Sequence, residues 1–271
     1  MNGPKGVFSD GTKLYVADSN NHRVLVWNTM PSSTGQSASF ALGQSNLTSN
    51  ASATTASGMN FPSSVHHNGT KLFVGDSSNN RVLVWNTIPT ASGTAANFAL
   101  GQANLTTGTQ NTGGISASRM AAPRSVLSVG TMLFVSDTDN HRILVWNTIP
   151  STSGEAASFA LGQPNLTSNT SNNGGLSSST LSAPYDVYSE GTKVFIADRG
   201  NQRVLVWSAL PTASGQAATS VIGQPTFTSA TPNNGGLSSS ALNYPSYVFA
   251  NSSNLFIADN ANDRVLVLPV P

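Results

Sequence analysis

An aspartate and an arginine five residues apart, Asp18 and Arg23 in LYVADSNNHRVLVW, are the natural candidates for acid–base or ion-pair chemistry in a sequence with only 8% charged residues. The same pair returns as Asp76 and Arg81, Asp137 and Arg142, Asp198 and Arg203, and Asp259 and Arg264. A catalytic site is normally single because its substrate binds once, so five equivalent pairs point to structure. Each aspartate closes an apolar run and each arginine opens the next, which makes the four residues between them a hairpin loop. The spacing predicts an ion pair across the neck of that loop, with the carboxylate taking backbone N–H bonds and the guanidinium making two parallel bonds to it. The pairs use five of the eleven acidic and five of the twelve basic residues. Paired-carboxylate or metal chemistry has little left to draw on.

The remaining chemistry-bearing residues read the same way. His22 and His141 precede the arginine where other copies carry Asn80, Gln202 and Asp263, which suggests polar loop filler rather than metal ligands. His66 and His67 are adjacent in a strand and point to opposite faces, so a shared chelate is not expected. Trp27, Trp85, Trp146 and Trp207 end equivalent runs and are expected to pack inward rather than form stacking platforms for sugars. The Asn-x-Ser/Thr triplets at Asn46, Asn50, Asn68, Asn104, Asn165, Asn169 and Asn251 read as loop composition. The NNGGLSSS stretches lack the lysine and following helix of a phosphate-cradling loop and are expected to be turns.

Composition narrows the partners. A net charge of +1 without a basic stripe argues against nucleic acid, and no apolar run is long enough to insert in a membrane. The absence of cysteine excludes disulfides and thiolate sites, and no cofactor is implied. The stretch NGPKGVF after Met1 does not read as a basic and apolar leader. Low Lys and Glu content with Ser-, Thr- and Asn-rich loops suggests an extracellular or cell-surface location in a bacterial protein.

The elements that position these residues repeat at 58, 61, 61 and 61 residues, counted between the aspartates. A proline recurs at Pro4, Pro62, Pro123, Pro184 and Pro245 with a valine three positions later, and FALGQ recurs at 40, 98 and 159 as SVIGQ does at 220. Each unit reads as four short strands: one opened by the proline, one ending in aspartate, one opened by arginine, and FALGQ. The two central runs are apolar at consecutive positions, so both sheet faces must be covered. A four-stranded sheet repeated so that each packs on its neighbours is a β-propeller, and the period is too long for a β-helix rung. The fold class is therefore all-β, a five-bladed β-propeller with a three-stranded fifth blade, since the last unit stops at RVLVLPVP. A partial ring of a six-bladed propeller is the alternative. The whole chain, 1–271, reads as a single domain with units near 4–61, 62–122, 123–183, 184–244 and 245–271.

The pattern P-x-x-V followed by G-x-x-L-Y/F-V-x-D-x-x-N-x-R-V/I resembles the NHL repeat, over essentially the whole sequence. That resemblance implies a propeller, commonly of six blades, with mostly binding or scaffolding duties and a few lyase or lactonase relatives.

Positions alike in all units build the blade, and positions that differ are free for recognition. The residues after the recurring proline differ most. Lys5, Arg124, Tyr185, Asp186 and Tyr247 are therefore the expected ligand-binding residues, at the channel mouth on the long-loop end, with cations for an anionic group and tyrosines for a ring. The expected function is a non-enzymatic binding or scaffolding module for a protein, a small molecule or a glycan. A lyase- or lactonase-like enzyme, or a designed or recently amplified repeat array without a ligand, is the alternative. The open edge of the last unit makes self-association a further expectation.

Overall fold

The computed structural model describes residues 1–271. Nineteen strands form five antiparallel sheets, four of four strands and a last of three, with five three-residue 3-10 turns as the helical content. The first sheet contains β1 (Pro4–Ser9), β2 (Leu14–Asp18), β3 (Arg23–Trp27) and β4 (Phe40–Leu42); the second contains β5 (Pro62–His67), β6 (Leu72–Asp76), β7 (Arg81–Trp85) and β8 (Phe98–Leu100). The third has β9 (Pro123–Val129), β10 (Met132–Asp137), β11 (Arg142–Trp146) and β12 (Phe159–Leu161). The fourth has β13 (Pro184–Ser189), β14 (Val194–Asp198), β15 (Arg203–Trp207) and β16 (Ser220–Ile222). The fifth has only β17 (Pro245–Ala250), β18 (Asn254–Asp259) and β19 (Arg264–Pro269). This is the five-bladed, all-β propeller expected from the repeats, with a three-stranded last blade.

Local chemistry sets these elements. The opening proline costs no ladder bond at the first position of an edge strand. The strand it opens then slips by a bulge: the register shifts between Pro62 and Ser64, between Pro184 and Asp186, and between Pro245 and Tyr247. The hairpin between the second and third strands of each blade closes on the Asp–Arg register pair, as in Asp76↔Arg81. Its loop is a 3-10 turn followed by one left-handed residue, His22, Asn80, His141, Gln202 or Asp263, with φ of 51 to 57°. Asn tolerates that region well, and the polar side chains here have a further use described below. Asn46, Asn104 and Asn165 accept the N–H two residues on at 2.9 Å, and Asn68 and Asn251 do the same at 3.0 and 2.9 Å, so these triplets make Asx turns.

The chain divides into two compact units. The first comprises Met1–Gly114, Ser118–Ser128 and Pro150–Glu155, and the second Ile115–Ala117, Val129–Ile149 and Ala156–Pro271. In the first, one face of the opening sheet (Tyr15, Val24, Val26) packs on the other face of the second (Val65, Val74, Leu83). In the second unit, Phe195, Val204 and Val206 pack on Val248, Leu255 and Ile257 by the same face-to-face rule. The second strands of inner blades, Leu72–Asp76 and Val194–Asp198, are buried at every position, which is why they carry apolar residues consecutively.

Candidate functional site

The Asp–Arg pairs are ion pairs with Nε to Oδ2 distances of 2.7 to 2.8 Å, and all five aspartates are buried. The expected pair of parallel bonds between guanidinium and carboxylate is not made. Each arginine gives only Nε to the aspartate and spreads its other nitrogens over backbone carbonyls. Arg81 Nη1 donates to Leu105 O at 2.6 Å, and Nη2 donates to Thr55 O and Gly58 O at 2.9 and 3.0 Å. Arg203 does the same with Phe227, Ser177 and Thr180. One guanidinium thus ties the long loop before its blade to the loop after it, because a fork of five donors can satisfy several carbonyls that a carboxylate cannot.

The aspartate is equally occupied. Asp76 Oδ1 accepts Asn60 N–H at 2.6 Å, while Oδ2 accepts from Asn79 at 2.8 Å and from Arg81. Burial pushes the Asp76 and Asp198 carboxyls up, against the pull of Arg81 and Arg203. At Asp18 burial also raises, but the bonds from Asn21, Asn2 and Arg23 outweigh it and hold that carboxyl below its usual range. No oxygen of these carboxylates is left for a substrate.

Other candidates prove structural as well. Trp85 and Trp207 are buried and donate Nε1 to Thr94 O and Gln216 O at 3.0 and 3.1 Å, so no platform is offered to a sugar. His66 and His67 diverge as expected: Nε2 of His66 lies 2.8 Å from Ser128 Oγ, and Nε2 of His67 lies 3.1 Å from Asp10 Oδ2. Burial, with the neighbouring His67, pushes His66 down to about 4. An imidazole held this low is a poor general base for its serine neighbour. No three His, Cys, Asp or Glu side chains are grouped to hold a metal ion. No helix is long and apolar enough to cross a membrane.

One set of polar residues had been read as filler. Nδ1 of His22 accepts the Phe61 N–H at 3.1 Å, Asn80 Oδ1 accepts Ala122 N–H at 2.9 Å, His141 Nδ1 accepts Ala183 N–H at 3.0 Å, and Gln202 Oε1 accepts Tyr244 N–H at 2.6 Å. Each acceptor reaches the residue before the proline of the following blade. That residue is itself left-handed, with φ between 46 and 53°, a rare state for a residue preceding proline. The signal was legible in principle, since every copy offers a side-chain acceptor at this position.

The five expected ligand residues lie at or beside the bulge of a blade's first strand: Lys5 on β1, Arg124 on β9, Tyr185 and Asp186 on β13, and Tyr247 on β17. They fall into two groups, one in each compact unit. In the first unit burial, with the Arg124 charge as the smaller cause, holds the Lys5 ammonium below its usual range. In the second, the Tyr185 and Tyr247 rings meet edge to face at 6.4 Å. Asp186 Oδ2 accepts Val248 N–H at 2.9 Å. Arg199, which the sequence did not single out, lies 5.0 Å from the Tyr185 ring centroid and 4.6 Å from that of Tyr244. The Arg199 guanidinium over two tyrosine rings is a cation–π arrangement.

Blades of this construction define a β-propeller. Among solved structures the chain is similar to a putative 6-phosphogluconolactonase from Bacteroides uniformis, at 13% identity and a TM-score of 0.56, covering 98% of this chain and 66% of that one. It is also similar to a chain of a nidogen/laminin complex, at 13% identity and a TM-score of 0.54, covering 98% and 75%. A third is virginiamycin B lyase from Staphylococcus aureus, at 10% identity and a TM-score of 0.48, covering 100% and 71%. The chain thus spans about two thirds of the length of the first of these. No protein-family model and no curated protein matches the sequence. These likenesses correct one expectation. A non-enzymatic module was expected, yet the fold is shared with a protein bearing a lactonase name, so the propeller does not separate this chain from enzymes.

Proposed function

We propose that residues 1–271 act as one propeller of NHL-like repeats that binds a small anionic ligand, with Lys5 and Arg124 as the anion-holding residues. What supports this reading is that both cations stand at non-repeated positions just after the recurring proline, and that the Lys5 ammonium is lowered by burial and, second, by the Arg124 charge. Like charges held together cost free energy that a bound carboxylate or phosphate would recover through charge-assisted hydrogen bonds. In the other unit, the Tyr185–Tyr247 pair with Arg199 over the Tyr185 ring is a separate surface of the kind that holds a hydroxylated or planar body. Ser-, Thr- and Asn-rich loops fit a protein working outside the cell.

The test is calorimetric titration with 6-phosphogluconate and gluconate, probes chosen because a protein of this fold carries a phosphogluconolactonase name. Wild type should bind the phosphorylated sugar acid more tightly. Lys5→Ala with Arg124→Ala should weaken that binding about tenfold or more, with the urea midpoint unchanged or raised. Failure of both probes to bind, or undiminished binding by the double variant, overturns the reading. A lactone-hydrolysis assay on the same samples reports whether binding leads to turnover.

A further inference from the structure

The 3-10 turn after each buried aspartate opens on Ser19, Ser77, Thr138, Arg199 and Asn260 in the five blades. In the first three blades this position is a small hydroxyl that ties the turn to the blade that follows. Ser19, Ser77 and Thr138 donate to the carbonyls of Pro62, Pro123 and Pro184. The fourth blade departs from the rule with a long cation. Arg199 is half-buried, and its guanidinium carbon lies over two rings, 5.0 Å from the centroid of Tyr185 and 4.6 Å from that of Tyr244.

This guanidinium has no partner of opposite charge. The arginine ion pairs of the chain belong to Arg23, Arg81, Arg142, Arg203 and Arg264. Arg203, four residues further on, is spent on Asp198 and on three loop carbonyls. The Arg199 side chain pairs with no carboxylate and donates to no atom of the chain, which leaves its five N–H donors for a ligand or for water.

The rings beside it are held by backbone bonds. Gly200 N–H donates to Ser182 O at 2.9 Å and anchors the turn that carries Arg199. Gln202 Oε1 takes the Tyr244 N–H at 2.6 Å, and Asp186 Oδ2 takes the Val248 N–H at 2.9 Å. Tyr244 is 40% exposed, as is its counterpart before the second blade, Phe61, at 39%. The Phe61 ring meets the His22 ring edge to face at 4.8 Å. Gln202 stands at the His22 position in the fourth blade and offers no ring, so Tyr244 is met by Arg199 instead.

We infer that Arg199, Tyr185 and Tyr244 form a binding site for a carboxylate carried on a six-membered ring. A guanidinium edge presents two parallel N–H donors that match the two oxygens of a carboxylate. Tyrosine rings supply flat apolar contact for the body that bears it, with hydroxyls at their rims. Cation–π contact with two rings restrains the long arginine stem, so less freedom is lost when the ligand binds. The site shares no residue with the Lys5 and Arg124 anion site, and the two stand or fall separately.

Calorimetric titration of the full chain with benzoate and with glucuronate tests it, since these carry one carboxylate on an aromatic and on a sugar ring. Benzamide and glucose are the uncharged counterparts. At least one acid should bind with a Kd of about 1 mM, and its uncharged counterpart about tenfold or more weakly. Which acid binds tells the aromatic from the sugar source. Arg199→Ser copies Ser19 and Ser77, and Tyr244→Ala copies Ala122 and Ala183, which hold the same left-handed backbone. Both variants should therefore keep urea midpoints near wild type. Arg199→Ser should weaken binding about tenfold or more, and Tyr244→Ala about threefold. Arg199→Gln, which keeps the stem and removes the charge, replaces Arg199→Ser if that variant fails to fold, with the same loss expected. Lys5→Ala with Arg124→Ala should leave binding of the ring acid unchanged. The inference is overturned if neither acid binds, if the uncharged counterpart binds equally well, or if binding survives in the Arg199 variants and is lost in the Lys5 and Arg124 double variant.

Discussion

Ala183 donates its backbone N–H to Nδ1 of His141 at 3.0 Å, and both residues sit in the left-handed region, with φ of 46° and 54°. This bond crosses from one blade to the next and joins two backbone states that are each unfavourable alone. The turn residue of one hairpin thus fixes the entry of the following blade, so blade spacing is written into a hydrogen bond as well as into apolar packing.

Removing that acceptor leaves a partly buried N–H without a partner. His141→Ala should therefore cost about 1–3 kcal/mol in chemical denaturation. His141→Asn, which copies the residue found at Asn80, should recover most of the loss, since Asn accepts the same bond and tolerates positive φ. Equal losses from the two variants would assign the effect to packing of the imidazole instead.

The ion pairs predict graded costs. Asp137→Ala strands Arg142, which is fully buried, and should destabilise by about 3–5 kcal/mol. Asp259→Ala should cost less, because the Arg264 side chain is 25% exposed and can turn to water. Urea midpoints for the two variants, measured side by side, check the order.

Acid should weaken the fold through its histidines. His66 is held at about 4 against an ordinary 6.5, and burial lowers His22 and His141 as well. A depressed folded-state pKa means the unfolded chain binds more protons, so the stabilising contribution is complete above pH 6.5 and is lost as pH falls toward 4. For His66 this amounts to about 3 kcal/mol at most. His66→Asn should flatten the stability profile between those pH values; a slope unchanged from wild type would exclude His66 as its source.

The recurring tryptophans are core. Trp207→Ala should lose about 3–5 kcal/mol by opening a cavity and orphaning the Gln216 carbonyl, without changing binding of any sugar probe. A sugar titration that disappears in this variant at preserved stability would reverse that assignment.

The repeat was legible because a propeller blade is a local object. Pro62, Val65, Asp76, Arg81 and Trp85 lie within one short stretch, and their order alone defines three antiparallel strands and a hairpin closed by an ion pair, with FALGQ as the fourth strand. The missing FALGQ element after Arg264 likewise announced a three-stranded last blade. Sequence spacing could say that Asp76 meets Arg81, because five residues across a hairpin leave few other geometries.

Contacts between blades were not legible in the same way. That Arg81 would spend only one nitrogen on Asp76 and the rest on Thr55, Gly58 and Leu105 depends on where two long loops come to rest, and loop paths are set by the packing they cover. That His22 is an acceptor for Phe61, 39 residues away, depends on the rotation between adjacent sheets. The sequence by itself determined the blade, its strand order, its ion pair and the number of copies, because these rest on short-range periodicity and turn chemistry. Tertiary structure decided which polar side chains join blades and which loop carbonyls the arginines hold, because those outcomes follow from the packing of whole sheets.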